Sequence, residues 1–322
     1  MTVTDKITIL FSTRNRAQSL RRTLESLTRL KPSLIAREVI VVDNGSTDET
    51  QAVLNEFRGR LSLIALRDPV PGKSHALNHA LATCSVGEIV ALIDDDVTPA
   101  PDWIDAMLEC CERWPKHSVF GGKITPVLQG VKQSPGWAAH DAIQTLAFAK
   151  HDLATVDVEY PDHQDPFGCN FWVRREAIGT TKFLEGIGPQ PRQRMLGTET
   201  QFLRQLRAKG YRPVYTPLVA VEHHIESERV TKRSVYRRAR QGGRGVIHTR
   251  GLPQTELLQR SRAAWHLSRI GGIAKAVLER ALAALQPDED KRVIETVYAH
   301  WALSENLEAM RVAHREGQQA PV

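Results

Sequence analysis

Three consecutive carboxylates, Asp94-Asp95-Asp96, follow the apolar run Ile89–Ile93. Side chains of an extended chain alternate, so the spacing predicts Asp94 and Asp96 on one side and Asp95 on the other. Carboxylates this close repel one another unless a cation lies between them. Oxygen ligands of this kind suit Mg²⁺ or Mn²⁺, ions that commonly also ligate substrate phosphates. Polar groups also close the earlier apolar runs: Ser12-Thr-Arg-Asn-Arg16, Asp43-Asn-Gly-Ser-Thr-Asp48 and Arg67-Asp-Pro-Val-Pro-Gly-Lys73. Competing chemistries lack their signatures. No Gly-x-Gly-x-x-Gly follows the first run, and no Gly-x-x-x-x-Gly-Lys-Ser/Thr occurs. Cys84, Cys110, Cys111 and Cys169 have neither the paired spacing of a zinc site nor the density of a disulfide framework.

These segments need a scaffold that brings them together. Residues 1–125 alternate β-rich runs with amphipathic stretches, such as Leu20, Leu24 and Leu27 on one helical face and Val53, Leu54 and Phe57 on another. Apolar strands with little alternation, separated by helices of crossover length, indicate a doubly wound α/β unit with a parallel sheet covered on both faces. Such sheets bind ligands beyond the carboxyl ends of their strands. The polar segments above fall at those ends. Farther on, Thr198–Lys209 reads as a helix capped by Thr198 and stopped by Gly210. Glu199 sits in its first turn, where the helix dipole favours the ionised carboxylate. His223 and His224 are adjacent on a strand, so only one of them can face a site. From Arg229 to about Arg315 the sequence reads as helical, broken once at Gly242, Gly243 and Gly245. The expected organisation is an α/β domain over residues 1–228 and a helical region over 229–322.

The order of motifs resembles glycosyltransferase family 2. The matching segments are Phe11-Ser-Thr-Arg-Asn-Arg16, Val41-Val-Asp-Asn-Gly-Ser-Thr-Asp48 and Gly72-Lys-Ser-His-Ala-Leu-Asn78. They continue with Leu92-Ile-Asp-Asp-Asp96, Gly168-Cys-Asn-Phe-Trp-Val-Arg-Arg175 and Gly197-Thr-Glu-Thr-Gln-Phe202. The resemblance covers about residues 5–225 and implies the GT-A fold, a nucleotide-binding α/β domain with a metal-binding Asp-x-Asp. It implies transfer of a sugar from a nucleotide-diphosphate donor, a UDP-sugar foremost, to a hydroxyl acceptor, with inversion. A retaining transferase and a nucleotidyltransferase are the alternatives. Asp43 matches the carboxylate that binds the nucleotide base, with Ser12 and Arg14 in the loop lining that pocket. Lys73 matches a basic residue near the base and phosphates, and Asn78 lies on the helix behind it. Asp94, with Asp95 beside it, looks like the ribose-side carboxylate, and Asp96 like the ligand of Mn²⁺ or Mg²⁺. Glu199 matches the acid that serves as base, although Thr198 replaces the family's first acid and Glu its usual Asp. His223, six residues before Arg229, matches a His that approaches the metal or diphosphate, with His224 as the alternative. Trp172 and Arg174 lie where relatives shape the acceptor site.

The charge is unevenly spread. The chain has 322 residues and a net charge of +6. Residues 229–280 hold thirteen Lys/Arg against two acids, Glu256 and Glu279, so the basicity is local. Four readings of this stretch stand side by side: an anionic membrane surface, an acceptor bearing phosphate, nucleic acid, or a solvated helical face. With a nucleotide sugar as donor, nucleic acid is not an expected partner. Gln241-Gly-Gly-Arg244-Gly245 resembles the Gln-x-x-Arg-Trp of processive polysaccharide synthases, but Gly replaces Trp and processive synthesis is not expected. No leader-like segment and no apolar run near the roughly 18 residues that span a bilayer are present. The expected location is the cytoplasm, soluble or peripheral at the inner face of the membrane.

Overall fold

The apolar runs do form strands, and their neighbours explain why they show so little alternation. In a computed structural model that describes residues 6–186, 195–252 and 261–319, β1 (Lys6–Thr13) pairs in parallel with β2 (Ala36–Asp43) and β4 (Ile89–Ile93), and β2 with β3 (Leu63–Arg67). On one face Ile7, Ile9 and Phe11 pack with Leu20, Leu24 and Leu27 of α1 (Ala17–Thr28), Phe57 of α2 (Thr50–Phe57) and Trp103 and Met107 of α4 (Trp103–Arg113). On the other, Leu10, Val42 and Leu92 meet Ala76, Leu77 and Ala80 of α3 (Lys73–Thr83) and Phe202, Leu203 and Leu206 of α7 (Thr198–Ala208). Both faces of β4, of most of β1 and of the second half of β2 are buried, so both sets of side chains there are largely apolar, while β3 at the sheet edge is half-buried.

Beyond β4 the sheet changes character. The strand order is β3-β2-β1-β4-β8-β6-β9-β5, and β7 (Val158–Glu159) pairs with β9. Here β8 (Asn170–Arg174) runs antiparallel to β4 and to β6 (Val119–Gln129), and β5 (Val97–Pro99) antiparallel to β9 (Pro213–Glu226). The chain winds outward from β1 to β3 in one direction and re-enters as β4 on the other side of β1. The gap between the carboxyl ends of β1 and β4 is therefore a topological switch point, where open α/β sheets hold their ligands.

The chain divides into two compact units. One comprises Met1–Val127, Ala149–Pro191 and Thr198–His224, the other Leu128–Phe148, Arg192–Gly197 and Ile225–Val322. The division near His224 lies close to the 228/229 boundary read from the sequence, but the second unit also takes in Leu128–Phe148. The reason is hydrophobic: Trp137 and, from α5 (Asp141–Phe148), Ile143 and Phe148 form one core with Val235, Ala239, Val293 and Val297. The short α6 (Arg175–Ile178) and α7 belong to the first unit, and among the described residues the second unit adds to α5 the helices α8 (Lys232–Arg250), Arg262–Ala284 and Glu289–Gln319.

The expected break at the glycines does not occur, for α8 runs through Gly242, Gly243 and Gly245 without interruption. The glycines serve close packing. A Cβ on Gly242 would stand 2.1 Å from the Trp301 ring, and one on Gly243 would stand 2.3 Å from the Trp301 carbonyl oxygen. One on Gly245 would stand 1.9 Å from the Leu196 carbonyl. Gly271, also mid-helix, has nothing within 4 Å of its Cβ position. The same substitution should therefore act with opposite signs. Gly271→Ala should raise stability by about 0.5–1 kcal/mol through helix propensity. Gly242→Ala should lower it by about 1–3 kcal/mol through overpacking. Urea unfolding of the two variants checks this; a Gly242→Ala protein as stable as the parent would mean that the crossing tolerates the extra methyl.

Candidate active site

Strand β4 ends at Ile93, and the chain then turns through Asp95 and Asp96 into β5. The turn overrides the alternation expected of an extended triplet. Asp95 and Asp96 are both buried and share one guanidinium: Arg16 Nη1 lies 2.6 Å from Asp95 Oδ1, and Nη2 lies 2.8 Å from Asp96 Oδ2. Thr13 Oγ1 donates to Asp95 Oδ2 at 2.6 Å. Thr13 ends β1 and Arg16 follows it, so these bonds cross the switch point. Burial disfavours the guanidinium charge, yet Asp95 and Asp96 outweigh it and hold the pKa of Arg16 above its ordinary value. Burial, with Asp96 adding to it, pushes Asp95 up to about 6 against the opposing pull of Arg16 and Thr13.

Arg16 is aimed by a strained turn. Asn15 has φ 51°, a left-handed conformation that Asn tolerates better than most side chains. Its backbone N–H donates to Ser46 Oγ at 2.9 Å, and its Oδ1 accepts from the Thr47 N–H at 2.7 Å. The β1 loop is thereby tied to the β2 loop. Asp48 adds a further tie, accepting from the Ala17 N–H at the start of α1 (3.0 Å) and from the Thr50 N–H at the start of α2 (3.1 Å).

Asp94 takes a different partner. Lys73, the first residue of α3, directs its ammonium to Asp94 and to Glu199 Oε1, the latter at 2.5 Å. A cation at a helix N-terminus is disfavoured by the dipole, and burial adds to that, but the two carboxylates prevail and keep the Lys73 pKa well above normal. Glu199 lies in the first turn of α7 and rests against Gly168, where a Cβ would stand 2.6 Å from the Glu199 carboxyl carbon. Only a residue without a side chain leaves that seat clear. Cys169, next in the chain, is buried beside the cluster. Burial, reinforced by Asp94 and Asp96, pushes its thiol well above the ordinary range.

The β5–β9 pairing decides between the two histidines. His223 stands opposite Val97 in register, and its Nε2 lies 3.4 Å from Asp96 Oδ2. His224 turns to the Thr98 hydroxyl (2.8 Å), and burial lowers its pKa. Asp94, Asp95, Asp96, Lys73, Glu199 and His223 are thus assembled at one edge, together with Arg16. Among the described residues no group of three or more His, Cys, Asp or Glu side chains is disposed to hold a metal ion. Asp96 and His223 offer one carboxylate and one imidazole. That pair fits a divalent cation of the kind that completes its shell with substrate phosphates and water.

Other residues singled out by the sequence lie elsewhere. Asp43, at the end of β2, is fully buried, accepting from the Ser46 N–H at 2.8 Å and from the Gln51 side chain. Ser12 is half-buried near the end of β1, and Arg14 is exposed. Asn78 does not reach the cluster, since its amide donates to the Phe183 carbonyl and accepts from the Phe183 N–H, both at 2.8 Å. Trp172 is fully buried, stacked on Phe120 with ring centroids 5.3 Å apart. Arg174 donates to the His117 and Cys111 carbonyls. In register Arg174 pairs with Ile89, at the opposite end of β4 from the aspartates.

Sequence reasoning passed over three residues. Arg16, two positions after Arg14, carries the same charge in the same loop, and only the turn at Asn15 separates their fates. Asn44 donates to the Asp68 and Val70 carbonyls and accepts from the Gly72 N–H at 2.8 Å, fixing the loop that delivers Lys73. Asn170, at the cluster end of β8, accepts from Trp103 Nε1 and donates to the Lys123 and Val219 carbonyls, binding three elements together.

The parallel strands with carboxylates at their switch point have counterparts among known proteins. The family described as Glycosyl transferase family 2 matches residues 8–181, and the chain belongs to it. The architecture is that of the GT-A transferases. A mannosyltransferase of Pyrobaculum calidifontis, solved in complex with GDP-Man and Mn²⁺, is similar in fold with TM-score 0.52 and 20% identity, over 100% of this chain and 77% of that one. The succinoglycan biosynthesis protein ExoM of Rhizobium meliloti is 25% identical over 80% of this chain and 78% of its own. A glucosyl-dolichyl phosphate glucuronosyltransferase of Haloferax volcanii is 31% identical over 34% of this chain and 35% of its own. An uncharacterised protein of Sinorhizobium fredii is 29% identical over 74% of this chain. The chain spans only 26% of that protein and 35% of the Haloferax one.

The two arginines of the β1 loop give a direct test of the cluster. Arg16→Met leaves two buried carboxylates without their cation and should cost about 3 kcal/mol. Arg14→Met, on an exposed side chain, should change stability by no more than about 0.5 kcal/mol. Equal losses in urea unfolding would refute the central place given to Arg16.

Proposed function

We propose that the chain is a glycosyltransferase that moves a sugar from a nucleotide-diphosphate donor, a UDP-sugar foremost, to a hydroxyl acceptor with inversion. The observation that carries the reading is the assembly of Lys73, Asp94, Asp96, Glu199 and His223 around the ends of β1 and β4. Family membership supports the reaction class. A carbohydrate, lipid-linked or small-molecule hydroxyl serves as acceptor, and the likeness to a succinoglycan biosynthesis protein supports a polysaccharide setting. Among the described residues no helix is long and apolar enough to cross a membrane, which is compatible with the proposed cytoplasmic or peripheral location.

The residues divide the work by position. Asp43, at the floor of the loop after β2, receives the nucleotide base, with Ser12 and Arg14 bordering that pocket. Asp94 takes the ribose, and Lys73 the diphosphate. Asp96 and His223 would hold Mn²⁺ or Mg²⁺, and the chemistry such an ion would supply there is neutralisation of charge on the leaving diphosphate. Glu199 accepts the acceptor hydroxyl proton as that oxygen attacks the anomeric carbon and the nucleoside diphosphate departs from the opposite face. The ion pair with Lys73 holds the Glu199 carboxylate at the cluster.

Transfer should be assayed with UDP-, GDP-, dTDP- and CMP-sugars, after thermal-shift screening with Mn²⁺. Glu199→Gln should lower kcat by about 10²–10⁴-fold, and Asp96→Ala and EDTA should each abolish turnover in folded protein. Near-normal transfer by Glu199→Gln would remove it as the base, and full activity after EDTA would remove the metal. Retained anomeric configuration in the product, read by NMR, would overturn single displacement.

Gly168→Ala offers a subtler check on the seat of Glu199. Displacing that carboxylate by about an ångström should cost roughly 10²-fold in kcat, with donor affinity kept. A variant of unaltered kcat would show that Glu199 needs no such seat.

A further inference from the structure

The second unit contains a cavity of about 460 Å³ lined by Arg233, Tyr236, Arg240, Arg280, His300 and Leu303. Three helices build it. Arg233, Tyr236 and Arg240 lie at i, i+3 and i+7 on one face of α8. Arg280 comes from the helix Arg262–Ala284, and His300 and Leu303 from Glu289–Gln319. His300 is 5% exposed, its Nδ1 has no hydrogen-bond partner, and its Nε2 lies 3.4 Å from Arg240 Nη1. Its ring lies 5.3 Å from that of Tyr236.

The charges in this cavity all have one sign. Arg240 is acted on by Arg244, Arg280 and Arg237 in addition to its burial, and its pKa falls below the ordinary arginine value. Burial, then Arg240 and Arg280, drives His300 down to about 4, so its ring is neutral near neutral pH. Among the described residues no carboxylate lies within ion-pair distance of Arg233, Arg240 or Arg280. At the sheet edge Arg16 and Lys73 have their carboxylates, whereas here the exposed Arg233 and Arg280 and the half-buried Arg240 converge on the buried His300 with no such partner among the described residues. Like charges brought together cost stability unless an anion joins them. Guanidinium forks match the oxygens of phosphate in particular.

We infer that this cavity is a phosphate-binding site, in which Arg233, Arg240 and Arg280 grip the phosphate of a phosphate ester while Tyr236 and Leu303 flank its organic part. The buried His300 supplies an orphaned ring nitrogen for a further hydrogen bond. The site lies wholly within the helical unit, and the inference stands independently of the transfer reaction. A soluble phosphate ester and a lipid headgroup with a terminal phosphate share the required chemistry.

The test uses the full chain at low ionic strength and titrates inorganic phosphate by calorimetry. Vesicles of phosphatidylcholine with and without phosphatidic acid form a second arm. Binding in either arm, weakened about tenfold or more by Arg240→Gln and by Arg280→Gln but not by Lys73→Gln, supports the site. Binding of phosphate alone identifies a soluble ester, and binding of phosphatidic acid vesicles alone a lipid. Melting temperature gives a second reading. Arg240→Gln should melt higher than the parent without phosphate, because a repelling charge is gone, and should lose the stabilisation that phosphate gives the parent. The inference fails if neither probe binds, or if binding depends on Lys73 and not on Arg240 and Arg280. It fails equally if a single-stranded oligonucleotide is the only probe whose binding the two arginine variants weaken.

Discussion

Buried carboxylates at a sheet's switch point set the terms for the rest of the first unit. Asp95 and Asp96 are almost wholly removed from water, and an isolated carboxylate there would lose its charge or unfold its surroundings. Arg16 resolves the conflict by reaching across from β1, and Lys73 does the same for Asp94 and Glu199 from the start of α3. Each cation is delivered by a loop that needs its own support. The left-handed Asn15 turn, tied to Ser46 and Thr47, aims Arg16, and Asn44 shapes the segment ending at Lys73. The polar loops after β1, β2 and β3 are thereby fastened to one another before any ligand arrives, the kind of preorganisation that binding and catalysis both require.

Much of this was legible in the sequence because hydrophobic runs and their polar endings are local features. The four parallel strands, the helices between them and the meeting of Lys73 with the Asp94–Asp96 turn at their ends all follow from pattern. What escaped depended on contacts between distant residues. Nothing in Arg14 and Arg16 distinguishes a solvent-facing side chain from a buried counterion, because the difference arises from one backbone dihedral between them. The aspartate triplet reads as an extension of its strand, yet the chain turns there to reach β5. Trp172 and Arg174 share a segment with Asn170, but the antiparallel register with β4 puts only the asparagine at the aspartate end. The glycines of α8 look like a helix break until Trp301, about sixty residues later, is seen to occupy the space where side chains on Gly242 and Gly243 would be, and Leu196 that of Gly245.

The two units therefore handle charge and space differently. In the first, large apolar side chains fill both faces of a sheet and the cations at its edge are paired with carboxylates. In the second, glycines let helices approach closely, and the cationic side chains around Arg240 are left to repel one another. The net charge of +6 conceals this contrast, since it averages a nearly balanced sheet domain with a helical unit rich in arginine.

The ion pairs at the sheet edge also define an electrical state. Asp94, Asp95, Asp96 and Glu199 bring four carboxylates, while Arg16 and Lys73 bring two cations. With all six ionised the cluster holds two negative charges in excess, the amount that a single divalent ion cancels. A polyphosphate entering without a cation would meet an excess of like charge at this edge. The balance of side chains at β1, α3 and β4 thus gives this edge a standing preference for positive charge over negative.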